Sequence, residues 1–108
     1  MEDVEDWANK LRNSNKTILV EGKKDKEDLN NLGIKNIITL KQKPIYKIVE
    51  EISENSKEVI ILTDLDVEGK KLYSRLKSGL QKHGIKIDHE FREFLFKKSK
   101  ITYIESLR

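Results

Sequence analysis

Apolar residues in this chain come in short clusters whose spacing switches between helical and extended periods. Val4, Trp7, Ala8 and Leu11 recur at the i, i+3, i+4, i+7 interval of one helical face, and Asn13-Ser14-Asn15 supplies a polar stop, so the first element reads as a helix. Thr17 to Val20 and Glu58 to Thr63 are apolar runs without alternation, the pattern of strands covered on both faces. Ile34 to Leu40 reads as a further strand, rich in isoleucine. A helix from about Lys24 to Leu32 lies between the first two strands, and Gly33 stands where a left-handed cap would end it. Pro44 opens a third helix whose Ile45, Ile48, Val49 and Ile52 share a face. Leu72, Leu76 and Leu80, spaced by four, define the inward face of the next, which Gly84 terminates after His83. Ile85 to Ile87 starts a fourth strand, and Glu90 to Lys98 forms a last short helix before an Ile101 to Leu107 tail.

Strands alternating with helices through short links predict an α/β protein: one Rossmann-like domain with about four mainly parallel strands, helices on both faces and right-handed crossovers. At 108 residues a second independently stable core would be hard to build, so residues 1–15 are expected to form a helix packed on a domain that fills residues 16–108. Charged residues (38%) outnumber hydrophobic ones (36%), which predicts a lean core under a highly charged surface. No apolar run approaches the roughly 20 residues of a membrane span, and the opening Met1-Glu-Asp-Val-Glu-Asp is acidic where a signal peptide is basic, so the expected location is the cytoplasm. The absence of cysteine excludes disulfides, thiolate zinc sites and cysteine nucleophiles. A net charge of +3 is too small to prescribe an anionic partner by itself.

Chemistry concentrates where two strands end. Glu21-Gly22-Lys23-Lys24-Asp25 follows the first, and Asp64-Leu65-Asp66-Val67-Glu68-Gly69 the third. In open parallel sheets ligands bind beyond the carboxyl ends of the strands. Carboxylates gathered there repel one another and raise their pKa values unless a cation sits among them; Mg²⁺, with Mn²⁺ as a substitute, takes oxygen ligands and keeps waters that give way to phosphate oxygens. If the strand runs through Asp64 and turns, Asp64 and Asp66 project to one side while Leu65 points into the core. Gly22 would let the chain turn sharply behind Glu21, and Gly69 would allow close backbone approach where the helix begins. That helix N-terminus would favour a phosphate through its free N–H groups.

Ile18-Leu-Val-Glu21-Gly22-Lys-Lys-Asp25 and Ile61-Leu-Thr-Asp64-Leu-Asp66-Val-Glu68-Gly69 resemble the two defining motifs of the Toprim superfamily, in the right order and over about Thr17 to Gly84. Its members include type IA topoisomerases, bacterial-type primases, recombination-repair proteins and ribosomal RNA maturation nucleases. The resemblance implies that Glu21 is a general acid/base, that Asp64 and Asp66 bind metal with Glu21, and that the chemistry is cleavage or formation of nucleic-acid phosphodiester bonds. It also implies a third acid at Glu68 and a supporting one at Asp25. With no further domain to clamp DNA or supply a topoisomerase tyrosine, the chain looks like the small stand-alone Toprim proteins of archaea and bacteria.

Other residues carry blander readings. Asp28, Glu50, Glu51 and Glu54 read as solvated charge, as does Asp25 apart from the resemblance. Glu68 would either ligate metal through water or favour the positive helix start. Lys23, Lys24, Lys70 and Lys71 border both motifs and are candidates for RNA or DNA phosphates, as any lysine of a lysine-rich surface would be. Arg92 would join them if the final helix folds over the strand ends. His83 and His89 have no partner at metal spacing, and Trp7 is a core anchor. Asp64-Leu-Asp66 also matches the Asp-x-Asp of haloacid-dehalogenase-type phosphatases, but there the motif lies on the first strand and needs acids and a lysine downstream. A receiver domain would show paired acids after its first strand, and Glu21-Gly22-Lys23 lacks the P-loop spacing. The alternative from another class is a metal-dependent nucleic-acid-binding or adaptor module without turnover.

Overall fold

The structure, a computed structural model, describes residues 1–41 and 43–98. Its elements in chain order are α1 (Val4–Arg12), β1 (Thr17–Val20), α2 (Lys23–Asn31), β2 (Ile37–Thr39), α3 (Ile45–Asn55), β3 (Glu58–Ile61), α4 (Val67–Lys82), β4 (Lys86–Asp88) and α5 (Glu90–Glu93), which widens into a π-helical turn over Phe94–Lys98. The Ile101 to Leu107 tail lies outside the described residues.

All four strands are parallel, in the order β2-β1-β3-β4. Side chains of adjacent residues on the central strands go to opposite faces, which is why the strands read as unbroken apolar runs. Ile18, Val20, Ile60 and Leu62 pack with Trp7 and Leu11 of α1, Leu29 of α2 and Phe91 of α5 on one face. Leu19, Val59 and Ile61 pack with Ile48, Val49 and Ile52 of α3 and Leu76 and Leu80 of α4 on the other. Trp7 and Phe91 meet edge to face with ring centroids 6.4 Å apart, and the indole Nε1 donates to the Phe91 carbonyl at 2.9 Å, so α1 and α5 are tied although 84 positions separate the two residues.

Two helix ends behave as their sequences predict. Gly33 and Gly84 have φ of 80° and 75°, and the following Ile34 and Ile85 N–H groups return to the carbonyls of Leu29 and Leu80. This explains one difference: the second strand begins at Ile37, not Ile34. Ile34 completes the cap of α2 and is fully buried, and Asn36, at φ 63°, turns the chain before the ladder starts. A second difference concerns α4. Its inward face is Gly69, Tyr73, Leu76 and Leu80, while Leu72 is half-buried outside the core because it stands one position off that stripe.

The connection out of β1 crosses one face through α2, and the connection out of β3 crosses the other through α4. The carboxyl ends of these adjacent strands therefore form the switch point of the sheet, where the crossovers diverge and leave a crevice.

Candidate functional site

β1 ends at Val20, and Glu21 is the next residue. The β3 ladder closes with the Leu62 N–H donating to the Leu19 carbonyl at 2.8 Å; Thr63 and Asp64 lie just beyond. Glu21 and Asp64 thus meet across the two central strands. Burial pushes the Glu21 carboxyl up to about 7; Asp64, which also shares a hydrogen bond with it, and then the charges of Asp66 and Asp25 add to the rise. Its Oε1 is buried without a hydrogen-bond partner. An unpaired buried carboxylate oxygen is an uncommon expense, normally about 1–3 kcal/mol or more, and marks the spot as built for something other than stability.

The backbone around the pair is held tightly. Thr63 is fully buried and its Oγ1 donates to the Gly69 carbonyl at 2.9 Å. A Cβ at Gly69 would stand 2.0 Å from the Asp64 carbonyl oxygen, so only glycine lets the first turn of α4 press against this corner. Asp66 caps that helix, its Oδ1 accepting from the Gly69 N–H at 2.7 Å. Arg92, projecting from α5, donates from Nε to the Thr63 carbonyl and from Nη2 to the Asp64 carbonyl, both at 3.0 Å. Its guanidinium carbon lies 4.4 Å from the centre of the Tyr73 ring and 5.2 Å from that of Phe96. Burial lowers the Arg92 pKa; Tyr73, Asp64 and Glu21 oppose that shift.

Several expectations need correction. Gly22 does not make a sharp turn: its φ of −140° and ψ of 173° are extended values open to any residue, and a Cβ there would meet only the Lys41 side chain, at 3.6 Å or more. Leu65 does not enter the core but is half-buried, because the strand stops before Asp64 and the alternation lapses. Asp25 is more than solvated charge, since its Oδ2 accepts the Gly22 N–H at 3.1 Å and fastens the first turn of α2 beside Glu21. Glu68, Lys70 and Lys71 are exposed and line a shallow depression on α4 with Leu72, Ser74 and Arg75. Lys23 and Lys24 are exposed on the first turn of α2.

The donor set at the switch point is all oxygen, and with the unpartnered Oε1 it fits a hard divalent cation. Among the described residues no three acids or histidines converge as a ready-made cage. One Asp66 oxygen serves the helix cap, so the acids at hand are a contacting pair and a nearby third.

A family model for the Toprim domain matches residues 16–92, which span β1 through α5 up to Arg92. The chain belongs to the Toprim domain family. This Toprim domain is 38% identical over 102 residues to a UPF0292 protein of Methanocaldococcus jannaschii, covering 91% of the chain and 80% of that protein. It is 40% identical over 101 residues to one from Pyrococcus abyssi, covering 91% and 76%. A protein from Aquifex aeolicus superposes with a TM-score of 0.92 at 35% identity over 98% of this chain and 99% of that one. The zinc-binding and RNA polymerase domains of the Aquifex aeolicus primase share the fold, with a TM-score of 0.58 at 24% identity, over 94% of this chain and 26% of that one. No helix among the described residues is long and apolar enough to cross a membrane.

Two residues beside the acid pair escaped the sequence reading. Thr63 precedes Asp64 in a buried run, and a hydroxyl there signals a polar contact at the end of an apolar strand. Lys41 follows β2, and its side chain lies over Gly22. The Leu40 N–H donates to the Val20 carbonyl at 3.0 Å, which carries the ladder forward and sets Lys41 level with the Glu21-Gly22 loop.

Proposed function

We propose that this Toprim domain acts on nucleic-acid phosphodiester bonds in a Mg²⁺-dependent reaction, with Glu21 as its general acid/base. The observation that carries the reading is the contact of Glu21 with Asp64 at the sheet switch point, with Glu21 Oε1 buried and unpartnered. A carboxyl whose hold on a proton is strengthened by burial and by Asp64 suits a group that accepts and returns protons. In hydrolysis a water oxygen bonds to phosphorus as the P–O bond to the departing sugar breaks; Glu21 takes a proton from the water and returns it to the leaving oxygen. Mg²⁺, or Mn²⁺ in its stead, would be held by Glu21, Asp64 and Asp66, with Glu68 through water, and would offset charge on the phosphate oxygens. Asp25 fastens the first turn of α2 next to Glu21. Arg92 holds the carbonyls of Thr63 and Asp64 and so orients the second acid rather than reaching out to substrate. Lys23, Lys24, Lys70 and Lys71 would meet the backbone of RNA or DNA. The domain would work in the cytoplasm.

The test is turnover of labelled single-stranded, duplex and structured RNA and DNA with Mg²⁺ or Mn²⁺, for wild type and Glu21→Gln. General acid/base groups contribute about 10²–10⁴ in rate, so the variant should lose nearly all activity. Nucleic-acid binding by a wild type that never turns over would instead support a binding or adaptor module.

A further inference from the structure

The most solvent-exposed large apolar side chains among the described residues are Tyr46, at 63%, and Val67, at 72%. Both stand in the first turn of a helix, α3 or α4, at the same carboxyl edge of the sheet as the acid pair. Val67 follows the Asp66 cap directly. Tyr46 lies on the other flank, beyond β2, in the run Lys41 to Lys47, where Lys41, Lys43 and Lys47 are exposed along with it. The Tyr46 phenol thus stands in water amid cations at this sheet edge, while Trp7 and Phe91 of the same chain are buried.

We infer that Tyr46 and Lys41, which follow β2, form a docking platform for single-stranded nucleic acid, with the Tyr46 ring stacking on an unpaired base and Lys41 holding the neighbouring phosphate next to Glu21. This rests on the proposed function and specifies the substrate class of the same site. Charge complementarity favours a polyanion: Lys41 and Lys47 are exposed cations, and Lys43 is paired with Glu51 at 2.6 Å, which fastens the segment to α3. The aromatic ring favours an unpaired strand, because a base within a duplex has both faces covered by its neighbours, whereas base–aromatic stacking needs an open face. Continuity with the site comes from Lys41, whose Cδ, Cε and Nζ lie 3.6–3.8 Å from where a Cβ on Gly22 would stand. A phosphate held by Lys41 would stand beside the Glu21-Gly22 loop.

Fluorescence anisotropy of labelled oligothymidylate and oligouridylate, and of a duplex of matching length, tests this in chelator, where no cleavage intervenes. Stacking on one aromatic side chain is worth about 1–3 kcal/mol, so Tyr46→Ala should weaken single-strand binding by at least about five-fold, and Tyr46→Phe should retain it. Duplex binding should stay within about two-fold in both. Lys41→Gln should reduce the salt dependence on the single strand by about 0.7 in the log–log slope. Wild-type affinity for single strands in Tyr46→Ala, or an equal loss on duplex, overturns the platform while leaving the acid-pair chemistry standing. Conversely, a Tyr46 effect on binding with no metal-dependent turnover by the wild type supports the platform and overturns the catalytic reading. A wild type that binds neither form in chelator overturns the platform, and turnover with Mg²⁺ or Mn²⁺ then decides the catalytic reading separately.

Discussion

Replacing Glu21 with glutamine should change the dependence of stability on pH in a direction fixed by the site. In the native chain the carboxyl titrates near 7, whereas in the unfolded chain it returns to 4.5. Between those values the native state holds a proton that the unfolded state has released, so stability falls as pH rises through that window. The stabilising contribution is fully present below 4.5 and lost above 7. At full strength the gap corresponds to about 3 kcal/mol, but Glu21 is only partly buried and solvent screens part of it, leaving about 1–2 kcal/mol. Glutamine has the shape of the protonated acid and never ionises. Wild type and Glu21→Gln should therefore be about equally stable near pH 4.5, and the variant more stable by about 1–2 kcal/mol near pH 8. Urea unfolding in chelator, followed by fluorescence of the fully buried Trp7, measures both curves. Parallel profiles, with a difference that varies by less than about 0.3 kcal/mol across the range, would refute the strained acid pair.

Three further outcomes follow from the same corner. Gly69→Ala brings a methyl within 2.0 Å of the Asp64 carbonyl oxygen, so urea unfolding should register a loss of about 3 kcal/mol, at the upper end of overpacking effects. Arg92→Met leaves two carbonyls without their charged donor and should destabilise by about 2–3 kcal/mol, with Arg92→Lys recovering less than half because one ammonium cannot span both; the same denaturation series reads this. Asp66→Ala should lose about 1 kcal/mol with the helix cap, whereas Asp66→Asn caps as well and should stay within about 0.5 kcal/mol of wild type. Isothermal calorimetry with Mn²⁺ then isolates the ligand role, which requires weaker binding in Asp66→Asn despite its intact cap.

The sheet was legible because each central strand serves two cores at once, which leaves an uninterrupted apolar run, and because Gly33 and Gly84 punctuate helices through a left-handed conformation that favours glycine. Ile34 misled because a cap residue and a strand residue can both be buried isoleucine; only the φ of Asn36 separates them. Leu72 misled because its spacing of four from Leu76 is also met by the inward stripe, which uses Tyr73 and a glycine as its first members. At the site, the acids announced themselves by following strands. Apart from Asp25, their support did not, since Arg92 reaches Thr63 and Asp64 across 29 and 28 positions, and Lys41 arrives beside Gly22 through strand pairing rather than proximity in sequence.

The Arg92 clip also has a bearing on the order in which the molecule is made. A chain emerging from synthesis amino end first lays down Glu21 and Asp64 well before α5. Until that helix docks, the carbonyls of Thr63 and Asp64 lack the guanidinium that holds them, and Trp7 lacks the Phe91 carbonyl its indole needs. A nascent or proteolytically shortened chain ending before Arg92 would carry every acid of the edge without the geometry that sets them, so the acidic corner matures only when α5 closes over it.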